Sequence, residues 1–476
     1  MTYQAWRKKS IREALDLQLK EIVQRYKPGE RTVCLLPGGM GSQLEISKRK
    51  YSAGNPIPSL PESTIWMDVG ITAEDAFRLE IKDDHDFKKR AVSPFGPVRF
   101  LPLLEPYIFL KNFINDDKGW NFVSFGFDWR RSLTESAHML HYFLGEFRDR
   151  VKAKWGEDPL PTTNFVCHSM GGLVAMRFVH LLVGELGVSP AGTKKWFDKL
   201  ITIATPFYGT ATHMARYYEG ISLLKPFYTQ VDMTRIVGSL PGPYTLLFMS
   251  EHVYDAHATA FANDTYALDE YPMRNLTANG GRADPFDPAF HERYALSVSA
   301  GHLRRAKNEM ALLTGKVSHS IAKRLFNIRS GEGKTAVKQR WLMPATIPFD
   351  PAVEHKAPIK RIGRKGPGDG TVPAWSAKLA WLDSANVYNT KWADDHQGLP
   401  DHRETHLVVG RIIEQGTVPA RIKRRPQIEN RFGRPASRRR VEEFFIDIAG
   451  GRADRHDQRF RDPAIWRRVL RDAPFS

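Results

Sequence analysis

The side chains needed for acyl transfer through a serine occur in one order along this chain. The run Phe-Val-Cys-His-Ser-Met-Gly-Gly-Leu-Val (165–174) reads as strand, serine, small residues, helix. A turn that tight forces its serine into a strained backbone conformation, with Oγ standing proud of the strand and able to attack a carbonyl. Ser169 is the candidate nucleophile. Gly171 and Gly172 keep the turn free of collisions, and the Met170 N–H falls at the start of the following helix, aimed at a developing oxyanion. Cys167 stands where the usual pattern of such an elbow has its first glycine. Cysteine is small enough for the turn, and inside a strand its thiol is buried and inert.

A serine nucleophile needs a base to take its proton and a carboxylate to orient that base. Asp369, in Gly-Asp-Gly-Thr-Val, lies in a turn well downstream of Ser169, although Asp-Gly is also an ordinary turn dipeptide. Three histidines follow: His396, His402 and His406. An Asp401/Glu404 capping box predicts a helix over 401–415, which puts His402 in its first turn and His406 inside it. His396 lies on the loop before that helix and is the candidate base. His168, beside the nucleophile, is expected to face away and to be structural. The first strand (32–36) runs into Pro-Gly-Gly-Met-Gly-Ser (37–42), whose glycines let backbone N–H groups approach a substrate oxygen. Gly39 or Met40 is the candidate second oxyanion donor.

The elements that must position these groups follow a βαβ rhythm through the first 210 or so residues. Strands are predicted at 32–36, 121–127, 164–167 and 200–204, with helices near 104–115, over 134–151 and from Met170. The expected fold class is α/β, a mostly parallel sheet flanked by helices. Residues 1–30 are expected to form an N-terminal helix, with Ile11, Leu15, Leu19, Ile22, Val23 and Tyr26 near one face. Residues 31–417 form the main domain. Within it, an aromatic-rich, turn-rich insertion over about 208–290 reads as a cap, and a polar basic insertion over about 302–340 interrupts the sheet again. A strand over 294–299 separates the two, and the glycine-rich stretch around Asp369 reads as a turn.

The chain has 476 residues, of which 42% are hydrophobic and 26% charged, enough apolar material for a sizeable core. That composition excludes wholesale disorder, collagen-like repeats and coiled coils. No apolar stretch approaches the ~20 residues that cross a bilayer. The first residues lack an apolar signal core, and the two cysteines, Cys34 and Cys167, suit no disulfide framework. The expected setting is cytoplasmic. Net charge is +17, and residues 421–476 carry sixteen Lys and Arg against eight Asp and Glu. This basic C-terminal extension (418–476), with its arginine-rich run over 421–440, favours anionic partners. Few aromatics interleave with the arginines, so peripheral association with an anionic membrane is preferred to nucleic acid.

Taken together, the motifs resemble the lecithin:cholesterol acyltransferase family of α/β-hydrolases, a group that includes phospholipid acyltransferases and lipases. The segment Leu36–Glu45 looks like that family's opening oxyanion segment, and Ile-Trp-Met-Asp (65–68) like its following tryptophan-containing stretch. Phe-Asp-Trp-Arg-Arg-Ser (127–132) is similar to its Asp-Trp-Arg block. Ala-Thr-Pro-Phe-Tyr-Gly (204–209) looks like its Pro-aromatic-Gly turn, and 239–247 resembles a cap segment. Gly-Asp-Gly-Thr-Val-Pro matches the block holding the family's acid, and His396 sits at its base position. The resemblance implies an α/β-hydrolase fold and a serine esterase, either a (phospho)lipase or a lipid O-acyltransferase, that forms an acyl-enzyme on Ser169. It implies an acyl-lipid substrate and no metal or organic cofactor. In the cap, Phe207, Tyr208, Tyr244 and Leu247, with Leu246 and Phe248, are expected to form the apolar substrate pocket. The alternative is a hydrolase-like, non-catalytic scaffold that binds membrane or nucleic acid through its basic tail.

Overall fold

A computed structural model describes residues 3–52, 55–58, 63–66, 79–81, 90–97, 107–211, 213, 217, 230–275, 281–292, 298–341, 361–391, 396–420, 422, 439–440, 443–444, 447, 452, 458–462 and 464–465. The expected strand at 294–299 lies largely outside the described residues. So do the start of the helix near 104, Met67 and Asp68 of the tryptophan stretch, and most of the arginine-rich run over 421–440.

Helix α1 (Tyr3–Arg25) is followed by strands β1 (Thr32–Leu36), β2 (Ser42–Ser52), β3 (Asn55–Pro58), β4 (Ser63–Trp66) and β5 (Arg90–Pro97). Helix α2 (Ile108–Asn112), extended by a wide turn over Phe113–Asp117, precedes β6 (Asn121–Ser124) and the long helix α3 (Leu133–Trp155). Then come β7 (Thr163–His168), α4 (Met170–His180) and β8 (Leu200–Ile203). The cap region holds α5 (Gln230–Gly238), α6 (Glu251–Ala262) and β9 (Met273–Asn275). The chain continues through α7 (Ala300–Thr314), β10 (Leu325–Ser330), β11 (Gly333–Trp341), β12 (Arg361–Gly368), β13 (Val387–Thr390) and α8 (Arg403–Gln415).

Six strands form the central sheet in the order β13-β10-β8-β7-β1-β6, and every pairing is parallel. A parallel sheet must be covered on both faces, and the strands alternate accordingly. Val33, Leu35, Val166, Ile201, Ile203 and Ile328 pack in one cluster with Leu110 and Ile114 of the α2 segment and Val408, Val409 and Ile412 of α8. Cys34, Leu36, Phe165, Cys167 and Leu200 face the other layer, with Leu140, Leu144 and Phe147 of α3 and Leu15 and Leu19 of α1. Helix α1 is also pinned by Arg7 to Glu135 and by Arg150 to Asp16. Two smaller sheets flank this core: β2 pairs antiparallel with β3, β4 and β5, and β11 pairs antiparallel with β12.

Two expectations are corrected here. The stretch 302–340 does not interrupt the sheet: it supplies β10, an inner strand, together with most of α7 and β11. It reads as polar because β10 buries Asn327 and Arg329. Asn327 Nδ2 donates to Thr202 Oγ1 and the Ala377 carbonyl, while Arg329 donates to Asn389, the Ala374 carbonyl and Asp264 of the cap. These bonds offset most of the cost of burying the two polar side chains, although Asn327 Oδ1 has no partner among the described residues. Second, the stretch before Asp369 is not all turn, because Arg361–Gly368 is a strand. The described part of the C-terminal extension packs against the main domain and pairs its charges. Phe444 and Ile465 are buried in the main apolar cluster. Arg439, Arg440, Arg452 and Arg459 pair with Glu443, Asp462 and Asp447. Among the described residues no helix is long and apolar enough to cross a membrane.

Candidate active site

Ser169 occupies the junction of β7 and α4 with φ 51° and ψ −125°. That left-handed conformation is costly for a residue with a Cβ and persists where the surroundings impose it. Here they do: the Ser169 N–H donates to the Ile203 carbonyl at 2.9 Å, and its carbonyl accepts from Gly172 N–H at 3.0 Å. The start of α4 presses against the end of β1, so a Cβ on Gly171 would lie 2.3 Å from the Leu36 carbonyl oxygen. Met170 is the first residue of α4, where the helix offers no acceptor to the backbone N–H. Among the described residues, four non-glycines have positive φ: Met40, Tyr107, Ser169 and Ala204. Three of them border the nucleophile or the turn beside it, and Ala204 ends the neighbouring strand β8.

The acid follows β12 of a smaller sheet, and the base lies between β13, an edge strand of the central sheet, and α8. Strand β12 delivers Asp369 into a turn in which its Oδ1 accepts from Thr371 N–H at 3.0 Å and Val372 N–H at 2.7 Å. The other oxygen, Oδ2, lies 2.7 Å from His396 Nδ1. A carboxylate held on one oxygen by two backbone donors orients the imidazole through the other, fixing Nδ1–H and leaving Nε2 as the proton acceptor. Among the described residues Nε2 is buried without a hydrogen-bond partner, so its bond to Ser169 Oγ is not made. Ser169, Asp369 and His396 are 2%, 3% and 1% exposed.

The other two histidines do different work. His402, rather than Asp401, caps α8, its Nδ1 accepting from Glu404 N–H. His406 stacks on Phe113 with ring centroids 5.3 Å apart. The Asp401/Glu404 capping box is thereby corrected. Asp401 accepts from the N–H groups of Tyr107 and Leu110 across the structure, and Glu404 accepts from Tyr388 and Thr390 hydroxyls. The sequence separation of about 290 residues hides the true partner of Asp401.

The turn after β1 packs on the elbow: a Cβ on Gly38 would meet Ser169 Cβ at 3.2 Å and His168 Nδ1 at 3.1 Å. Gly38 N–H donates to the Tyr107 hydroxyl at 2.8 Å, and Gly41 N–H closes the turn onto the Gly38 carbonyl at 3.0 Å. Gly39 and Met40 lie within that turn, beside the nucleophile. Tyr107 is the residue sequence reasoning missed, and His168 is the one it misplaced. His168 does not face away: its ring lies 4.7 Å from that of His396, its Nε2 is 3.1 Å from the His396 carbonyl, and its Nδ1 is 2.9 Å from the Tyr107 hydroxyl. Burial, then the proximity of His396, holds its pKa well below the usual histidine value, so the ring is neutral. No local pattern marks Tyr107.

The expected pocket residues lie inside the molecule. Phe207, Tyr208, Tyr244 and Leu247 are all buried in the apolar core. Both tyrosine hydroxyls tie chain segments together. That of Tyr208 accepts from Ala380 N–H, and that of Tyr244 donates to the Gly238 carbonyl and accepts from Ser299 N–H. The segment around Gly242 approaches the elbow: its N–H donates to the Arg130 carbonyl, and a Cβ on it would lie 3.1 Å from Met170 Cε.

No family model matches the chain, and no curated protein matches it in sequence. Among solved structures, a chain of the Tle4–Tli4 complex aligns with TM-score 0.50 at 13% identity, covering 80% of this chain and 97% of its own. The mature form of Bacillus licheniformis lipase BlEst2 aligns with TM-score 0.30 at 11% identity, covering 83% and 95%. The parallel six-stranded sheet, helices on both faces and a strained serine between strand and helix make this an α/β-hydrolase fold.

Proposed function

We propose that this protein is a serine esterase acting on acyl-ester lipids. The observation that carries the reading is the pairing of a strained elbow serine with a buried histidine whose Nδ1 is held by Asp369. Ser169 Oγ attacks the ester carbonyl as His396 Nε2 takes its proton, and Asp369 stabilises the resulting imidazolium without itself being protonated. The N–H groups of Met170 and of Gly39 or Met40 receive the oxyanion. His396 then returns the proton to the departing alcohol, leaving an acyl-enzyme that water or a lipid alcohol resolves. The acyl-lipid part of the reading rests on the ordered motifs that resemble the lecithin:cholesterol acyltransferase family, with hydrolysis preferred because nothing in the chain marks an acceptor site.

The test is intact-mass detection of a fluorophosphonate adduct. One adduct on the parent and none on Ser169→Ala is expected. No adduct on the parent would leave a hydrolase-shaped scaffold and remove the enzyme reading. Product analysis on phospholipid vesicles, with and without added sterol or diacylglycerol, then separates water from alcohol as acceptor.

A further inference from the structure

The residues around His396 form a connected set that the esterase reading does not use. The His396 carbonyl oxygen can only accept, so His168 Nε2 carries the proton that joins them. His168 Nδ1 is then an acceptor, and the Tyr107 hydroxyl donates to it. The Tyr107 oxygen in turn accepts the Gly38 N–H. Every donor and acceptor along this line is matched, and each member is buried. Tyr107 is itself held at φ 70°, a conformation that costs free energy in a non-glycine residue, by the Asp401 carboxylate on its N–H. Asp401 lies five residues beyond His396. One end of the 396–401 loop is thus fixed at the His396 carbonyl by His168, which Tyr107 holds, and the other at the Asp401 carboxylate by Tyr107 itself.

We propose that Tyr107 and His168 are positioning residues that hold the backbone of His396 in register with the elbow, and that Tyr107 couples this placement to the oxyanion turn through Gly38. The inference rests on the esterase reading only for its kinetic consequence. Asp369 fixes the rotation of the imidazole but not the position of the backbone that carries it. Ser169 follows His168 directly, so the residue next to the nucleophile grips the main chain of the base. Nucleophile and base are thereby referenced to each other through one rigid ring. A displacement of about 1 Å in such a geometry costs on the order of 100-fold in rate.

Three variants test it. Tyr107→Phe keeps the ring and removes the hydroxyl, His168→Leu removes the donor to the His396 carbonyl, and His168→Gln restores an N–H at about the reach of Nε2. With a p-nitrophenyl ester and a fluorophosphonate, Tyr107→Phe and His168→Leu should lower kcat and the labelling rate by roughly 10- to 100-fold. KM and the final labelled fraction should stay near the parent values. His168→Gln should recover most of the rate lost in His168→Leu. A purely structural role would instead lower the labelled fraction and the thermal midpoint while leaving the rate per active site unchanged, which would overturn the proposal. The second readout needs no turnover: the low-field proton resonance of His396 Nδ1–H, bonded to Asp369, should exchange with solvent faster in Tyr107→Phe than in the parent. Equal exchange in the two would overturn the positioning role even for a parent that hydrolyses nothing, whereas a parent that fails to label with the exchange difference present removes only the esterase reading.

Discussion

The two halves of the candidate site are built by different means. The nucleophile half is made from chain neighbours and backbone: β7 ends, Ser169 takes φ 51°, α4 begins, and Gly171 lets the new helix meet the end of β1. The base half is made from side chains that meet across the sequence. Asp369 reaches His396, His168 reaches the His396 carbonyl, and Asp401 reaches Tyr107. A backbone-built half tolerates no added atoms but depends on few side chains. A side-chain-built half keeps its shape only while each distant partner is present. The difference indicates where substitutions should remove chemistry and where they should remove structure.

The sharpest way to break the comparison is at its centre. Ser169→Ala should lower ester hydrolysis by about a million-fold with the fold intact, read as kcat and as an unchanged thermal midpoint. Substantial residual turnover would mean that the nucleophile lies elsewhere. Next in size, Asp369→Asn keeps the volume but disturbs the tautomer and charge that orient His396. A loss of ~10,000-fold in kcat is expected, with fluorophosphonate labelling slowed in parallel. If labelling stays fast in that variant, the base half is not oriented by Asp369.

This division also explains what could be read from the sequence. Ser169, Met170 and the 37–42 turn were legible because strand, turn and helix are local patterns and small residues mark the close approaches. Asp369 and His396 were legible through chain order and loop position. Strand β10 was not, because hydropathy registers Asn327 and Arg329 as polar and cannot register that they bond to Thr202 and Asp264. Tyr107 was invisible for the same reason: its role lies in bonds to Gly38 and His168, 69 and 61 residues away. The capping-box reading failed because Asp401 is an acceptor for α2 rather than for the helix beside it.

On the nucleophile side, Gly171→Ala tests how closely the backbone is fitted. Its Cβ would lie 2.3 Å from the Leu36 oxygen and 2.5 Å from that of Pro37, both main-chain atoms that cannot rotate away. A loss of about 3 kcal/mol in urea unfolding is expected. A neutral substitution would show that α4 can shift away from β1 without cost, and that the fit at the elbow is looser than these distances imply.

The smallest effect sharpens the comparison on the base side, through pH. His406 is buried in α8, stacked on Phe113. Burial, with smaller contributions from His402 and Arg403, lowers its pKa from 6.5 to about 4, against the opposing pull of a hydrogen bond to the Pro400 backbone. Between those two values the unfolded chain binds a proton that the folded chain refuses. The associated stability is fully present above pH 6.5 and is lost as pH falls toward 4. One such group contributes a slope of at most about 1.4 kcal/mol per pH unit. His180, at the end of α4, is lowered to about 4 by burial and Arg177 and adds a slope of the same sign. The contribution of His406 is therefore the difference between the parent and His406→Phe, a variant that keeps an aromatic ring on Phe113. Urea unfolding at pH 5 and pH 7 should show a smaller drop in the variant than in the parent. Equal drops would place the acid sensitivity away from the base half and leave the two halves alike in their response to pH.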